Sequence, residues 1–361
     1  MARIDDFLKQ MIETEGSDLH LCVGMPPKIR VHGELQELDE PAIDQDSMAE
    51  IMEEICPDHK WQDYLETGDA DFAYEMQDVA RFRCNYFYNH FGKGAVLRVI
   101  PSDIKTIDDL ALPEVLKTVC EYQKGLVLVT GPTGSGKSTT LAAMIDYINA
   151  HYSKHVITIE DPIEFVHTNK NSVIVQREVG SDTNSFQSAL KGSMRADPDT
   201  ILVGELRDLE TMSLALTCAT MGMLVFGTLH TNNAPKTIDR IIDTFPADRQ
   251  GQARAMLAQS LASVVSQLLC RKASGKGRIA THEILLSHEA LPATIREGRI
   301  SNIRSIIEGA GNMGMKTMDS DLMTLMNEEK ITAVEAYMKA SNKEDFEQYI
   351  DKSQLEQMIA A

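Results

Sequence analysis

An apolar run, Leu126-Val127-Leu128-Val129-Thr130, leads directly into Gly131-Pro132-Thr133-Gly134-Ser135-Gly136-Lys137-Ser138, and that pairing leaves few folds open. The octet is a phosphate-binding P-loop, here between a strand and a helix as its chemistry requires. Glycines let successive backbone N–H groups turn inward around a phosphate, while the following helix aims its positive dipole end at the same point. Thr133, Gly134, Ser135, Gly136, Lys137, Ser138 and Thr139 are the candidate phosphate-binding residues. Lys137 adds a mobile cation, and the Ser138 hydroxyl would hold Mg²⁺. Leu141, Met144, Ile145 and Ile148 then recur at i, i+3, i+4 and i+7, which predicts a helix packed on a sheet.

A chain of 361 residues exceeds the size at which one core stops growing, so two domains are expected. Residues 1–100 read as a small α+β module, 101–113 as a polar linker, 114–290 as an α/β domain and 291–361 as a helical, methionine-rich region. In the first module, Arg81-Phe82-Arg83-Cys84-Asn85-Tyr86-Phe87-Tyr88 alternates with period two. Phe82, Cys84, Tyr86 and Tyr88 fall on one face and Arg81, Arg83 and Asn85 on the other. A turn at Gly92-Lys93-Gly94 would return the chain through Ala95–Ile100, gathering guanidinium groups, Arg98 among them, on one surface. In the α/β domain the strands are expected at 126–130, 156–159, 200–203 and 224–229. Helices are expected near 138–150, 185–195, 208–221 and 251–269.

With 54 acidic against 35 basic side chains the net charge is −19, which disfavours a broad nucleic-acid surface. No run is long and apolar enough to span a bilayer, and the acidic start Met1-Ala2-Arg3-Ile4-Asp5-Asp6 does not resemble a signal peptide, so a cytoplasmic location is expected. Six scattered cysteines lack any C-x-x-C pair and read as reduced packing residues, while His151 and His155 read as solvated. The methionines from Met315 to Met338 read as core packing.

Three further segments place polar groups at strand ends, where α/β folds bind ligands. Glu160-Asp161-Pro162-Ile163-Glu164 follows Val156–Ile159 and offers a carboxylate to align an attacking water. Gly204-Glu205 follows Thr200–Val203 as a Walker-B-like end, with Glu205 placed to hold Mg²⁺ through a water. His230 follows Leu224–Leu229, where it would sense a γ-phosphate. Lys137 alone does not neutralise a triphosphate transition state, and Arg83 and Arg98 are candidates for a cation supplied from a second subunit.

Taken together these motifs resemble the PilT family of type IV pilus retraction ATPases within the secretion-ATPase superfamily. The similarity extends to Gly16–Leu21, Pro26-Pro27, Arg81–Arg83, Gln176–Gly180, Arg195–Asp199, Gly204–Asp208 and Gly227–Thr231. The resemblance implies a PAS-like N-terminal domain, a RecA-like ATPase domain and a homohexamer that burns ATP with Mg²⁺ to power pilus disassembly and twitching motility. It implies Glu164 as catalytic glutamate, Glu205 as Walker-B glutamate, His230 as the second histidine of a His box, and N-terminal arginines acting in trans. It further implies an inner-membrane platform protein as partner at the pilus base, with a paralogous retraction ATPase as a possible second partner. Two positions depart from the family pattern. Met223 stands where a first histidine is usual, and Ala290–Glu297 keeps only the ends of the segment associated with retraction.

Four other functions share parts of this pattern. An accessory PilU-type ATPase has the same motifs. A pilus-assembly or type II secretion ATPase shares the core but commonly carries a tetracysteine module that this chain lacks. A RecA-like nucleic-acid motor is opposed by the charge. A P-loop metabolic kinase would need an acceptor-binding segment, and none stands out.

Overall fold

The computed structural model describes residues 2–31, 33–77, 79–100 and 103–350. His32, the first two residues of the expected linker and the last eleven of the helical region lie outside them. The chain divides into two compact units, Met1–Asp103 with Pro162–Val166, and Ile104–Asp161 with His167–Ala361.

The first unit comprises α1 (Arg3–Glu13), β1 (Asp18–Cys22), β2 (Lys28–Val31), β3 (Glu34–Glu37), α2 (Gln45–Glu53), α3 (Asp58–Thr67), β4 (Asp69–Met76), β5 (Ala80–Asn89) and β6 (Gly92–Ile100). Its six strands form an antiparallel sheet in the order β3-β2-β1-β6-β5-β4. Helix α1 buries Ile4, Phe7, Leu8 and Met11, the i, i+3, i+4, i+7 stripe of an amphipathic helix. On β5, Phe82, Cys84 and Tyr86 are buried as period two requires, but Tyr88 is 48 % exposed and stacks on Tyr64. The β5–β6 turn also differs from expectation. Gly92 and Gly94 are paired strand residues, opposite Asn89 and Phe87, so the loop is only His90-Phe91. Gly94 lets the Phe87 ring lie over the backbone, since a Cβ there would come within 2.5 Å of it.

The second unit contains α4 (Val115–Cys120), β7 (Gly125–Thr130), α5 (Lys137–His151), β8 (His155–Glu160), β9 (Val173–Glu178), α6 (Phe186–Ser193), β10 (Thr200–Val203), α7 (Leu209–Thr220), β11 (Leu224–Leu229), α8 (Ala234–Asp243), α9 (Gln250–Ser260), β12 (Leu261–Arg271) and β13 (Arg278–Leu286). Helices α10 (Leu291–Arg296), α11 (Ile303–Gly309), α12 (Met318–Asn327), α13 (Ala333–Lys339) and α14 (Glu344–Glu347) follow. The seven strands run β13-β12-β7-β11-β10-β8-β9, parallel except for β13. Strands β7, β10 and β11 are buried at every position, as expected for a sheet covered on both faces. Helix α5 is buried well beyond its apolar stripe, taking in Thr140, Ala142, Ala143, Asp146 and Asn149.

Ile107 and Leu112, inside the segment read as a linker, belong to the second unit's core. The single helix expected over 251–269 ends at Ser260, and the rest is strand β12. β12 is buried from Leu261 to Gln267 yet carries Ser263, Ser266 and Gln267, so neither alternation nor an unbroken apolar run marks it as a strand. Met315 and Met318 are buried and Met323 and Met326 partly so, whereas Met338 is 56 % exposed.

Candidate nucleotide site

Parallel strands deliver their following residues to one edge. β7 ends in the P-loop, its neighbour β11 in His230, the next strand β10 in Gly204-Glu205, and β8 in Glu160-Asp161. At strand spacings of about 4.8 Å, the P-loop and Glu205 stand roughly 10 Å apart with His230 between. The sheet order thus assembles groups that are far apart in sequence.

The loop is held by its glycines. Gly131, Gly134 and Gly136 have φ of 144°, 77° and 86°, in the region that side chains avoid. A Cβ on Gly131 would overlap the Gln267 carbonyl oxygen, whereas one on Gly134 would meet nothing within 4 Å. Lys137 Nζ donates to the carbonyls of Gly131 at 2.9 Å and Pro132 at 3.1 Å, which keeps its charge on the loop. Ser135 is buried, and its hydroxyl has no hydrogen-bond partner among the described residues. Thr133 and Gly134 are exposed, and Ser138 and Thr139 open α5 half-buried. The first N–H groups of that helix have no intrahelical acceptor.

Glu205 is the electrostatic centre of the edge. One carboxylate oxygen accepts from Arg207 Nη2 at 2.7 Å and the other lies 3.2 Å from His230 Nε2. Burial raises the Glu205 pKa, but Arg207 and then His230 outweigh it and leave the carboxyl below its ordinary value. The same bond raises the Arg207 pKa, helped by the charge of Asp161. Arg207, two residues beyond Glu205, was not among the candidate site residues of the sequence reading. Its signal was present in Glu205-Leu206-Arg207, because residues two apart on an extended segment share a side.

Arg83, Arg98 and Glu164 belong to the first unit, the last within Pro162–Val166, where it is half-buried. Arg83 and Arg98 are paired across β5 and β6 with both side chains exposed. Arg98 Nε donates to Asp18 Oδ1 at 2.7 Å, and Arg83 Nε lies 3.8 Å from Asp71. Met223, the departure in the His box, precedes β11 while His230 follows it, roughly 20 Å further along at strand rise. In the divergent segment, α10 buries Leu291, Thr294 and Ile295 and leaves Arg296 exposed.

An orphaned buried hydroxyl, three left-handed glycines, a lysine on the loop and a helix N-terminus fit a phosphate ester. Among the described residues no group of three or more His, Cys, Asp or Glu side chains could hold a metal ion. A hard cation here would need phosphate oxygens and water besides Ser138 and Glu205, the mode Mg²⁺ favours.

A P-loop at the carboxyl edge of a mostly parallel sheet, with a glutamate two strands away, defines an α/β ATPase of the RecA-like class. The model of the family "Type II/IV secretion system protein" matches residues 1–360. The type IV pilus retraction ATPase PilT of Pseudomonas aeruginosa is 47 % identical over 343 residues, which cover 95 % of this chain and 99 % of that protein. The type IV pilus ATPase PilU of the same organism is 38 % identical over 341 residues, 94 % of this chain and 89 % of PilU. A crystal structure of the pilus retraction motor PilT with bound ADP superposes with a TM-score of 0.89 at 41 % identity, covering 96 % of this chain and 99 % of that one. The chain belongs to the type II/IV secretion ATPase family, on its PilT-like branch.

Proposed function

We propose that this protein is a motor ATPase of type IV pilus retraction, working as a homohexamer that hydrolyses ATP to drive pilus disassembly and twitching motility. The observation that carries the reading is the 47 % identity to PilT over nearly the whole of both chains. The 38 % identity to PilU supports an accessory paralogue as the second reading. Among the described residues no helix is long and apolar enough to cross a membrane. The proposed location is the cytoplasmic face of the inner membrane at the pilus base, against a membrane platform protein.

The chemistry asks little of covalent catalysis and much of positioning. Backbone N–H groups of 133–139 would cradle the phosphates, with Lys137 leaving the loop carbonyls to meet the developing charge. Mg²⁺, held by Ser138 and through water by Glu205, would supply charge neutralisation. Arg207 and His230 keep Glu205 ionised and oriented. Glu164 would align the attacking water. Arg83 and Arg98 would reach the nucleotide of a neighbouring subunit, which would make turnover conditional on assembly.

Deleting the gene tests the direction of the motor. Surplus pili without twitching support retraction; bald cells would mean assembly instead. ATPase rate and native mass, followed together as protein concentration falls, test the ring. A rate per chain that is unchanged in monomers would overturn the shared site.

A further inference from the structure

Behind the P-loop lies a buried polar network that no step above uses. Gln267 on β12 is 2 % exposed, and its Nε2 donates to the Ser135 carbonyl at 2.7 Å. A carbonyl only accepts, so that end of the amide is the NH₂ and the other is the oxygen. Gln267 Oε1 then accepts from Thr140 Oγ1 at 2.7 Å and from His282 Nε2 at 3.1 Å. His282 on β13 therefore carries its proton on Nε2. Burial pushes its pKa down to about 4, so the ring is neutral.

The histidine is held in turn. Its backbone N–H donates to Asp321 Oδ2 at 2.7 Å, Thr281 Oγ1 donates to the same oxygen at 3.1 Å, and Lys316 Nζ donates to Oδ1 at 2.6 Å. Asp321 lies in the first turn of α12. Hydrogen bonds thus join the loop backbone through Gln267 to the His282 ring, and the His282 backbone N–H ties the same residue to α12, with Gln267, Thr140, His282 and Asp321 all buried.

Gln267 also abuts the loop at its glycines, since a Cβ on Gly136 would stand 3.0 Å from Nε2. Buried amides are costly unless every polar atom is matched, and here the matching partners lie in α5, the P-loop and β13. We propose that Gln267 is a positioning residue that sets the P-loop backbone for nucleotide, locked through His282 and Asp321 by the seating of α12. This rests on the reading of the P-loop as the nucleotide site.

The test is equilibrium binding of ADP to the full-length protein, read by displacement of a fluorescent ADP analogue. His282→Leu removes the donor to Gln267 and raises the ADP Kd about 5- to 10-fold, the value of one buried neutral hydrogen bond. His282→Gln, which keeps an N–H near the position of Nε2, restores binding to near wild type. Thr140→Val is isosteric, deletes the second donor to the same oxygen and weakens ADP in the same direction. KM for ATP rises in the weakened variants while kcat holds. Equal weakening by His282→Leu and His282→Gln reduces the network to packing and overturns the proposal. So does an unchanged Kd in Thr140→Val, which decides the matter if His282→Leu does not fold. Wild-type protein that fails to bind ADP overturns the nucleotide site itself, whereas wild-type binding with unaltered variants overturns only the role of Gln267.

Discussion

Arg83 and Arg98 stand directly opposite each other across β5 and β6, two guanidinium groups on one exposed face of the first unit. Like charges so placed repel, and carboxylates at Asp18 and Asp71 offset them. The two arginines are not equivalent. Arg98 is bonded to Asp18, which is 4 % exposed; burial there raises the carboxyl pKa, but Ser17 and Arg98 more than reverse it. Arg83 lies 3.8 Å from the half-exposed Asp71.

Replacing each by alanine should therefore separate catalysis from stability. Arg83→Ala leaves the melting temperature unchanged and, if the guanidinium acts in trans, slows ATP hydrolysis by on the order of 10³. Arg98→Ala slows hydrolysis and also destabilises the first unit by about 1–3 kcal/mol, because the buried Asp18 loses its charged hydrogen-bond donor and keeps Ser17, with Arg30 at 4.0 Å. Calorimetry and a steady-state ATPase assay on both variants check this. An Arg83→Ala protein hydrolysing at the normal rate removes that residue from the mechanism.

Glu205→Gln keeps the shape of the side chain but discards the charge that Arg207 and His230 face. Hydrolysis should fall by roughly 10²–10³, the loss typical of removing one preorganised electrostatic group. ADP affinity should hold within a factor of about two, because phosphate contacts come from the loop. Arg207→Ala should produce a milder version of the same split. Nucleotide titration alongside turnover measures both numbers, and parallel losses in affinity and rate would place Glu205 in binding instead.

Two buried histidines make the second unit acid-sensitive. Burial lowers the pKa of His167 and of His282 to about 4 from the ordinary 6.5. The unfolded chain then binds more protons than the folded one between these values, so stability is full above pH 6.5 and declines as pH falls toward 4. Each ring contributes at most about 1.4 kcal/mol per pH unit in that window. Urea midpoints at pH 7 and pH 5 should differ accordingly, and His282→Gln should remove its own share of the difference.

Gly131→Ala should disable the site at its root. The position combines φ of 144° with a backbone carbonyl in the space a methyl would fill. The variant should lose ADP binding and several degrees of melting temperature, while Gly134→Ala, with open space around it, pays only for its left-handed backbone. Comparing the two by thermal shift with and without ADP distinguishes crowding from dihedral strain.

Much of this was legible from adjacent residues. The strands expected at 126–130, 200–203 and 224–229 lie within one residue of those observed, because each is a short apolar run closed by glycine or a polar group. Helix α5 followed from its i, i+3, i+4, i+7 stripe, and the P-loop from eight consecutive residues. Strand β12 was not legible, since burial on both faces erases the alternation that marks a strand. Alternation put Tyr88 on the face of Phe82, Cys84 and Tyr86, but it did not show that the core stops short of the strand's end, where Tyr88 is 48 % exposed.

The chain's order of residues thus decided the phosphate loop, the α/β class and which groups sit at strand ends, because backbone conformation answers to near neighbours. Only tertiary structure decided who meets whom. Glu205 meets His230 because β10 lies beside β11, and Gln267 meets a loop carbonyl 132 positions earlier because β12 lies beside β7. Strand order is set by the burial of whole faces, a property no local segment carries.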